Sequence, residues 1–394
     1  MDAVVEAVVR QNPELEFYHA EIEAAKAGRR IATRWQNPEL SADLGSKRVW
    51  ERGGSSLGDG PAWSVSVAQT FEYPGRIALR KAIANRQVEL AELGLAQFKA
   101  SLAARARTKA QMALAAQQKT EAAEEVAERF RSLLEVLVQR DLAGVTPLLD
   151  RRIIEANSVM LQRRVAQARR ELQGALLELN QLRGVPAGAP LRVRGSLEVP
   201  TNAPALPLLL AVAATNSFDL RMRQAELTQQ GFQVQLARNE RYPSVTVAPF
   251  YASEKANDEQ RIVGVGVSVP VPLWDRKRGN IDAARAREQQ AEAALRVTQR
   301  DVERRVTDHA LALETRLAEM AQWRPDAQAQ FREAAELADR HFRLGAVPVT
   351  IYIEMQMKYL DALEALLQTR QEALEQRQQL EVLIGRPLGS LASR

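Results

Sequence analysis

Residues Val263–Asn280 read VGVGVSVPVPLWDRKRGN. Val263, Val265, Val267, Val269 and Val271 fall on one parity, and Gly264, Gly266, Ser268, Pro270 and Pro272 on the other. A strand has a side-chain period of two, so this segment predicts a strand with one wholly apolar face and one small or polar face. Two prolines and Asp275-Arg276-Lys277-Arg278-Gly279 then stop it, and a very long helical pattern begins. The segment marks a change from sheet to helix with a basic collar at the junction.

Around that junction the chain has 394 residues, 5 % of them aromatic and 26 % charged. Ala, Arg, Gln, Leu and Glu dominate, as in long helices rather than a compact enzyme. There is no cysteine, which excludes a disulfide framework, a thiolate metal site and a cysteine nucleophile. The net charge is +5, and the basic residues alternate with glutamates as on solvated helix faces, so no nucleic-acid partner is expected. No run of apolar residues is long enough for a transmembrane helix. No signal peptide is recognisable in Met1-Asp2-Ala3-Val4-Val5. Since the reading below requires export, the numbering is expected to begin after a leader.

The pattern occurs twice. Residues 2–34 predict helix with a break at Asn12-Pro13, and strands are predicted at about 39–48 and 62–72 with a flexible loop over Val49–Ala62. A helix from Ile77 to Asp141 carries no proline, and at 1.5 Å per residue would run roughly 95 Å. Gly144-Val145-Thr146-Pro147 reverses the chain into a helix ending near Leu182 and Gly184. After a Pro-rich linker at 187–206, the order returns. Strands are predicted at 244–251 and 262–271, then a helical region to Arg343 broken at Arg324-Pro325, a turn at Gly345-Ala346-Val347-Pro348, and a helix ending before Gly385. Matched landmarks lie about 200–205 residues apart, with Arg276 set opposite Arg76. We read residues 1–186 and 207–394 as two structural repeats.

Each repeat supplies two strands whose length suits a tilted crossing of an outer-membrane bilayer. Four strands cannot close a barrel, and an open edge cannot sit in lipid. Three chains would pool twelve. The apolar parity would then face lipid and the small polar parity a water-filled lumen. The competing reading of the alternation alone is a soluble sheet with a one-sided core.

On the duplicated helix–hairpin–long helix–turn–helix order, the string Val269–Asn280 and the two Gly-x-x-Pro turns, the whole chain resembles the TolC-like outer-membrane efflux factor family. PLWDRKRGNI is most similar to its heavy-metal branch, the CzcC-like partners of cation pumps. The resemblance implies a membrane α+β fold: a homotrimeric twelve-stranded β-barrel in outer-membrane lipid, continued by an α-helical barrel in the periplasm. It implies passive export of heavy-metal cations received from an inner-membrane RND-type pump through a periplasmic adaptor. A general multidrug or secretion channel is the first alternative, and a soluble coiled-coil scaffold or adaptor the second.

The same resemblance places Gly144, Pro147, Gly345 and Pro348 at the periplasmic tip, where the adaptor docks. Glu354 falls at an acidic ring position of the constriction, with Asp150 a second candidate. Ile351 stands where another acid is common. Arg76, Asp275, Arg276 and Arg278 mark the barrel–helix junction, with Lys277 beside them as interfacial anchor. Trp63, Tyr73, Tyr251 and Trp274 are candidates for aromatic girdles. His19, His309 and His341 are too dispersed for a metal site. No catalytic triad, phosphate loop or paired acid is present, so neither enzymatic activity nor a cofactor is expected.

Overall fold

A computed structural model of the chain describes residues 1–141, 148–324 and 326–390. Helices α1 (Asp2–Gln11) and α2 (Glu14–Ala32) come first, then strands β1 (Glu39–Trp50) and β2 (Ser56–Phe71). Helices α3 (Arg76–Asp141), α4 (Leu148–Leu182), α5 (Leu206–Asn216) and α6 (Phe218–Asn239) follow. Strands β3 (Val245–Lys255) and β4 (Glu259–Ser268) precede helices α7 (Arg278–Ala321), α8 (Ala327–Arg343) and α9 (Val349–Ile384).

The chain forms two compact units that cut across the sequence repeats. One comprises Met1–Phe17, Gly94–Arg221 and Gln299–Arg394. Its core gathers Val126 and Phe130 of α3, Leu161 and Leu179 of α4, and Leu363, Leu367 and Leu374 of α9. Many buried positions of α3 are alanine, among them Ala106, Ala110, Ala113 and Ala115, and such small side chains let helices approach closely. Val193 and Leu197, within the stretch read as a linker, are buried in this core. The α1–α2 break is built as Asn12-Pro13 predicts: the Glu14 N–H donates to Asn12 Oδ1 at 2.9 Å, and Asn12 Nδ2 donates to the Leu182 carbonyl at 2.9 Å.

The other unit, Tyr18–Leu93 with Met222–Thr298, holds one antiparallel sheet in the order β1-β2-β3-β4. The sheet has two distinct faces. Leu40, Ala42 and Leu44 pair with Val67, Val65 and Trp63, and Val65 pairs with Tyr251, which pairs with Val263. This apolar face is uncovered: Leu44 is 88 % and Val263 80 % exposed. The opposite face carries polar rungs. Ser41 bonds Ser66 at 2.7 Å, Ser64 donates to Asp43 at 2.9 Å, Thr70 bonds Thr246 at 2.9 Å, and Lys47 meets Glu254 at 2.7 Å. A water-soluble sheet buries its apolar face, and a contiguous exposed one marks a membrane or protein contact. Among the described residues no helix is long and apolar enough to cross a membrane.

The strands depart from expectation at one end. The segment Val49–Ala62 is not a long loop, because β2 already runs from Ser56 and pairs Gly58 with Val49 and Gly60 with Lys47. Likewise β3 and β4 continue past the predicted ends at Tyr251 and Ile262 to the pair Lys255↔Glu259. Backbone pairing across each hairpin extends these strands through polar residues whose pattern alone reads as loop. At Gly60 an added Cβ would lie 2.4 Å from the Lys255 carbonyl oxygen, so the glycine permits the close approach of β3. At the other end β4 stops at Ser268, short of the predicted Val271, since proline at 270 and 272 lacks the N–H a ladder needs. The helical region between β4 and the second turn divides into α7 and α8 as Arg324-Pro325 predicts, with Pro325 itself outside the described residues.

If the apolar face meets hydrocarbon, Val265→Arg lowers the stability of the bilayer-inserted state by about 2–4 kcal/mol, while Ser66→Arg on the polar face leaves it nearly unchanged. Refolding titrations into phospholipid vesicles measure both; equal losses would contradict the assignment of faces.

Candidate barrel–helix junction and channel tip

The junction is built where strands give way to helices. After β2, Tyr73-Pro74-Gly75 turns the chain, with Gly75 at φ +88°, and α3 opens on Arg76. Arg76 grips the end of α6. Its Nε donates to Asn239 Oδ1 at 3.1 Å, and its Nη2 donates to the carbonyls of Asn239 at 3.3 Å and Tyr242 at 2.8 Å. Asn239 Nδ2 returns a bond to the Pro74 carbonyl at 3.0 Å. A cation at a helix C-terminus satisfies carbonyls left without intrahelical partners and complements the helix dipole. Tyr73 stacks on Tyr242 with centroids 4.4 Å apart, and Arg80 holds the buried Glu72 through two bonds of 2.7 and 2.8 Å.

The second junction uses different chemistry. Lys277 adopts φ 58°, the left-handed region rare for a side chain with a Cβ. Asp275 clasps it: Oδ1 accepts the Lys277 N–H at 2.9 Å and Oδ2 accepts Nζ at 2.8 Å. Those bonds hold the Asp275 carboxyl below the usual carboxylate range. The Ile281 N–H donates to the Lys277 carbonyl as the Leu79 N–H does to that of Gly75. By backbone, therefore, Arg278 is the counterpart of Arg76. The sequence alignment that set Arg276 opposite Arg76 is corrected by two residues, because the left-handed residue before each helix sets the register and a lysine stands where glycine was the visible marker. Arg276 and Arg278 are exposed. Trp274 is 93 % exposed, whereas Trp63 packs on Tyr251 with centroids 5.5 Å apart.

At the second turn, the Gly345 N–H donates to the Phe342 carbonyl and the Ala346 N–H to that of His341, with Gly345 at φ +74°. This is the paired-bond ending of a helix that glycine makes accessible. Pro348 then caps α9 in an extended conformation. Of the first turn, Gly144 and Pro147 lie outside the described residues.

Beyond the turn, α9 locks onto α8 and α3. Tyr352 is buried between Phe130 at 5.3 Å and Phe342 at 5.1 Å, and burial, then the charge of Asp339, pushes its hydroxyl pKa up. Gln356 is also buried. Its Nε2 donates to the Ala335 carbonyl at 2.7 Å, and Arg129 donates to its Oε1 at 3.3 Å. These residues point inward from α9, and Glu354 lies exposed on the opposite side. Ile351 is exposed as well. Asp150 sits half-buried in the first turn of α4, and no hydrogen bond or ion pair joins it to Glu354. His309 Nδ1 bonds Gln376 Oε1 at 2.7 Å, and among the described residues no three His, Asp or Glu side chains form a metal-binding group. The Asn239 latch, the Asp275–Lys277 clasp and the buried Tyr352 and Gln356 went unread in the sequence. The first has a partner 163 residues away, which no local pattern signals.

Residues 209–386 match the family model described as Outer membrane efflux protein. That segment, the second half of the chain, is similar to this family. The chain is similar to the cobalt-zinc-cadmium resistance protein CzcC of Cupriavidus metallidurans, at 24 % identity over 293 residues, 72 % of this chain and 65 % of that protein. The match thus spans less than two thirds of that relative's length. Among solved structures it is similar to a membrane protein from Pseudomonas aeruginosa, at 18 % identity and TM-score 0.76, covering 98 % of this chain and 90 % of that one. The Campylobacter jejuni outer membrane channel CmeC matches at 15 % identity and TM-score 0.74, covering 98 % and 85 %. The chain shares the fold of these membrane proteins, a four-stranded antiparallel sheet with long helices. Members of the family form trimeric channels that work with adaptor and inner-membrane pump partners.

Arg76→Ala removes charge-assisted bonds worth about 1.5–3 kcal/mol each and speeds amide exchange in the first turns of α3, whereas Arg276→Ala changes neither stability nor exchange. Equal effects would remove the latch role. The clasp follows the depressed Asp275 carboxyl: it is intact at neutral pH and is lost as pH falls through that lowered value. Proton-exchange protection at the Lys277 amide reports this, and Asp275→Asn abolishes the pH dependence.

Proposed function

We propose that three copies of this chain form a passive outer-membrane duct for heavy-metal cations, fed by an inner-membrane RND-type pump through a periplasmic adaptor. The similarity to a protein named for cobalt, zinc and cadmium resistance carries the substrate class. The sheet's exposed apolar face and its row of serine, threonine and carboxylate side chains on the other suit a wall between lipid and water.

At the tip, exposed Glu354, without an ion-pair partner among the described residues, is the residue assigned to selectivity. Three such carboxylates around a threefold axis raise the local concentration of cations and repel anions. A conduit gains from a weak ring of this kind rather than a tight chelate, since a tightly held ion leaves slowly. Gly345 and Pro348 shape the turn against which the adaptor docks, and Gly144 and Pro147 are assigned the same role. Asp150 is a secondary contributor to the constriction. Arg76, Asp275, Arg276 and Arg278 hold the boundary between barrel and tunnel, the arginines beside anionic lipid headgroups.

Deletion of the gene should raise sensitivity to zinc, cobalt and cadmium while leaving sensitivity to detergents and dyes unchanged; the reverse pattern assigns the channel to general drug export. In planar bilayers Glu354→Gln lowers the cation-to-anion permeability ratio, with Asp150→Asn producing a smaller change. An unaltered ratio for Glu354→Gln removes it from the filter.

A further inference from the structure

The sheet leaves two edges unpaired among the described residues, β1 and β4, and the pseudo-repeat says how a second copy meets them. Two landmarks relate the repeats independently. Gly75 and Lys277, the left-handed residues before α3 and α7, lie 202 positions apart. Pro38 and Pro243, ahead of β1 and β3, lie 205 apart. Moving β1 by the second offset and β2 by the first carries the observed pair Ser41↔Ser66 onto Thr246↔Ser268, the pair observed between β3 and β4. The repeats therefore superpose in register, not only in order.

The same offsets transpose the seam between the repeats. The in-chain pairs Val65↔Tyr251 and Ser66↔Phe250 of β2 and β3 become Val267↔Ser46 and Ser268↔Gly45. We infer that β4 of one copy pairs antiparallel with β1 of the next in this register, so that the seam between copies repeats the seam between halves. This rests on the reading that several copies close one barrel, and it names which residues meet.

Two observations support the register. The first is its parity. The observed pairs lead from Ser41 to Ser66, Phe250 and Gly264, and the inferred seam leads from Gly264 to Val49 of the next copy. The path returns to β1 eight residues further along, an even number, so the polar face stays on one side all the way round. An odd advance would turn every side chain to the wrong face, and a steady stagger of this kind is what closing a barrel requires. The second is chemical. Val263 falls opposite Trp50, both on the apolar parity and uncovered in the single chain, where Val263 is 80 % and Trp50 62 % exposed.

The Arg76 latch is not repeated across the seam. With the proline offset, Arg34 stands where Asn239 would be, so Arg278 faces a cation rather than an amide. The seam between copies is held by strand pairing without the latch that reinforces the seam within each copy.

The chain has no cysteine, so paired substitutions report the register without background. Opposed residues of an antiparallel pair have Cα atoms within disulfide reach, and residues two positions off-register lie beyond it. In the full-length protein in outer membranes, Val267→Cys with Ser46→Cys, and separately Ser268→Cys with Gly45→Cys, should give dimer and trimer bands on oxidation that collapse on reduction. Val267→Cys with Leu44→Cys or with Arg48→Cys should give none. A trimer in detergent that cross-links only through Leu44 or Arg48, or through none of these, overturns the register and leaves the channel reading standing. A monomer in detergent with no cross-link in any combination overturns both.

Discussion

The backbone of a sheet edge is the constraint from which the rest follows. Each unpaired N–H and C=O that enters hydrocarbon costs several kcal/mol, and four strands in the order β1-β2-β3-β4 leave two such edges. Their apolar face, exposed among the described residues, has no favourable place in water. A sheet of this kind is satisfied only by lipid on one face and by more strands at both edges. The proposed closure by three copies answers a deficit present in every copy, and would make the polar face, with Ser41 on Ser66 and Thr70 on Thr246, the lining of an aqueous bore.

Two kinds of device convert strands into helices at the boundary. In the first half a glycine takes the left-handed turn and an arginine caps the neighbouring helix. In the second half a lysine takes the same conformation and an aspartate holds it there. The first device joins the two halves of the sequence, while the second is local. The backbone path before the two helices is thus the same while the side chains differ. The same separation of tasks recurs on α9, whose Tyr352 and Gln356 are buried against α3 and α8 while Glu354 is exposed.

Much of this was legible in the sequence. The alternation of Val263–Val267 announces β4 because every second residue is valine, and the long proline-free stretch before Asp141 announces α3. Gly345 and Pro348 mark a turn because each disfavours continuing a helix. What escaped reading depends on partners distant in sequence. The strands extend into Gly58, Gly60 and Lys255 because a facing backbone is there to pair with. Arg76 is a latch only because Asn239 ends a helix beside it. The exposed direction of Glu354 follows from Tyr352 and Gln356 taking the buried side, which the spacing permits without requiring.

Electron cryomicroscopy of the protein in lipid nanodiscs tests the central claim most directly. The account predicts a threefold particle with twelve strands enclosing a continuous bore, its apolar residues Leu44, Val65 and Val263 against lipid. A particle in which one chain shields its own four strands, with no bore along a symmetry axis, would contradict it.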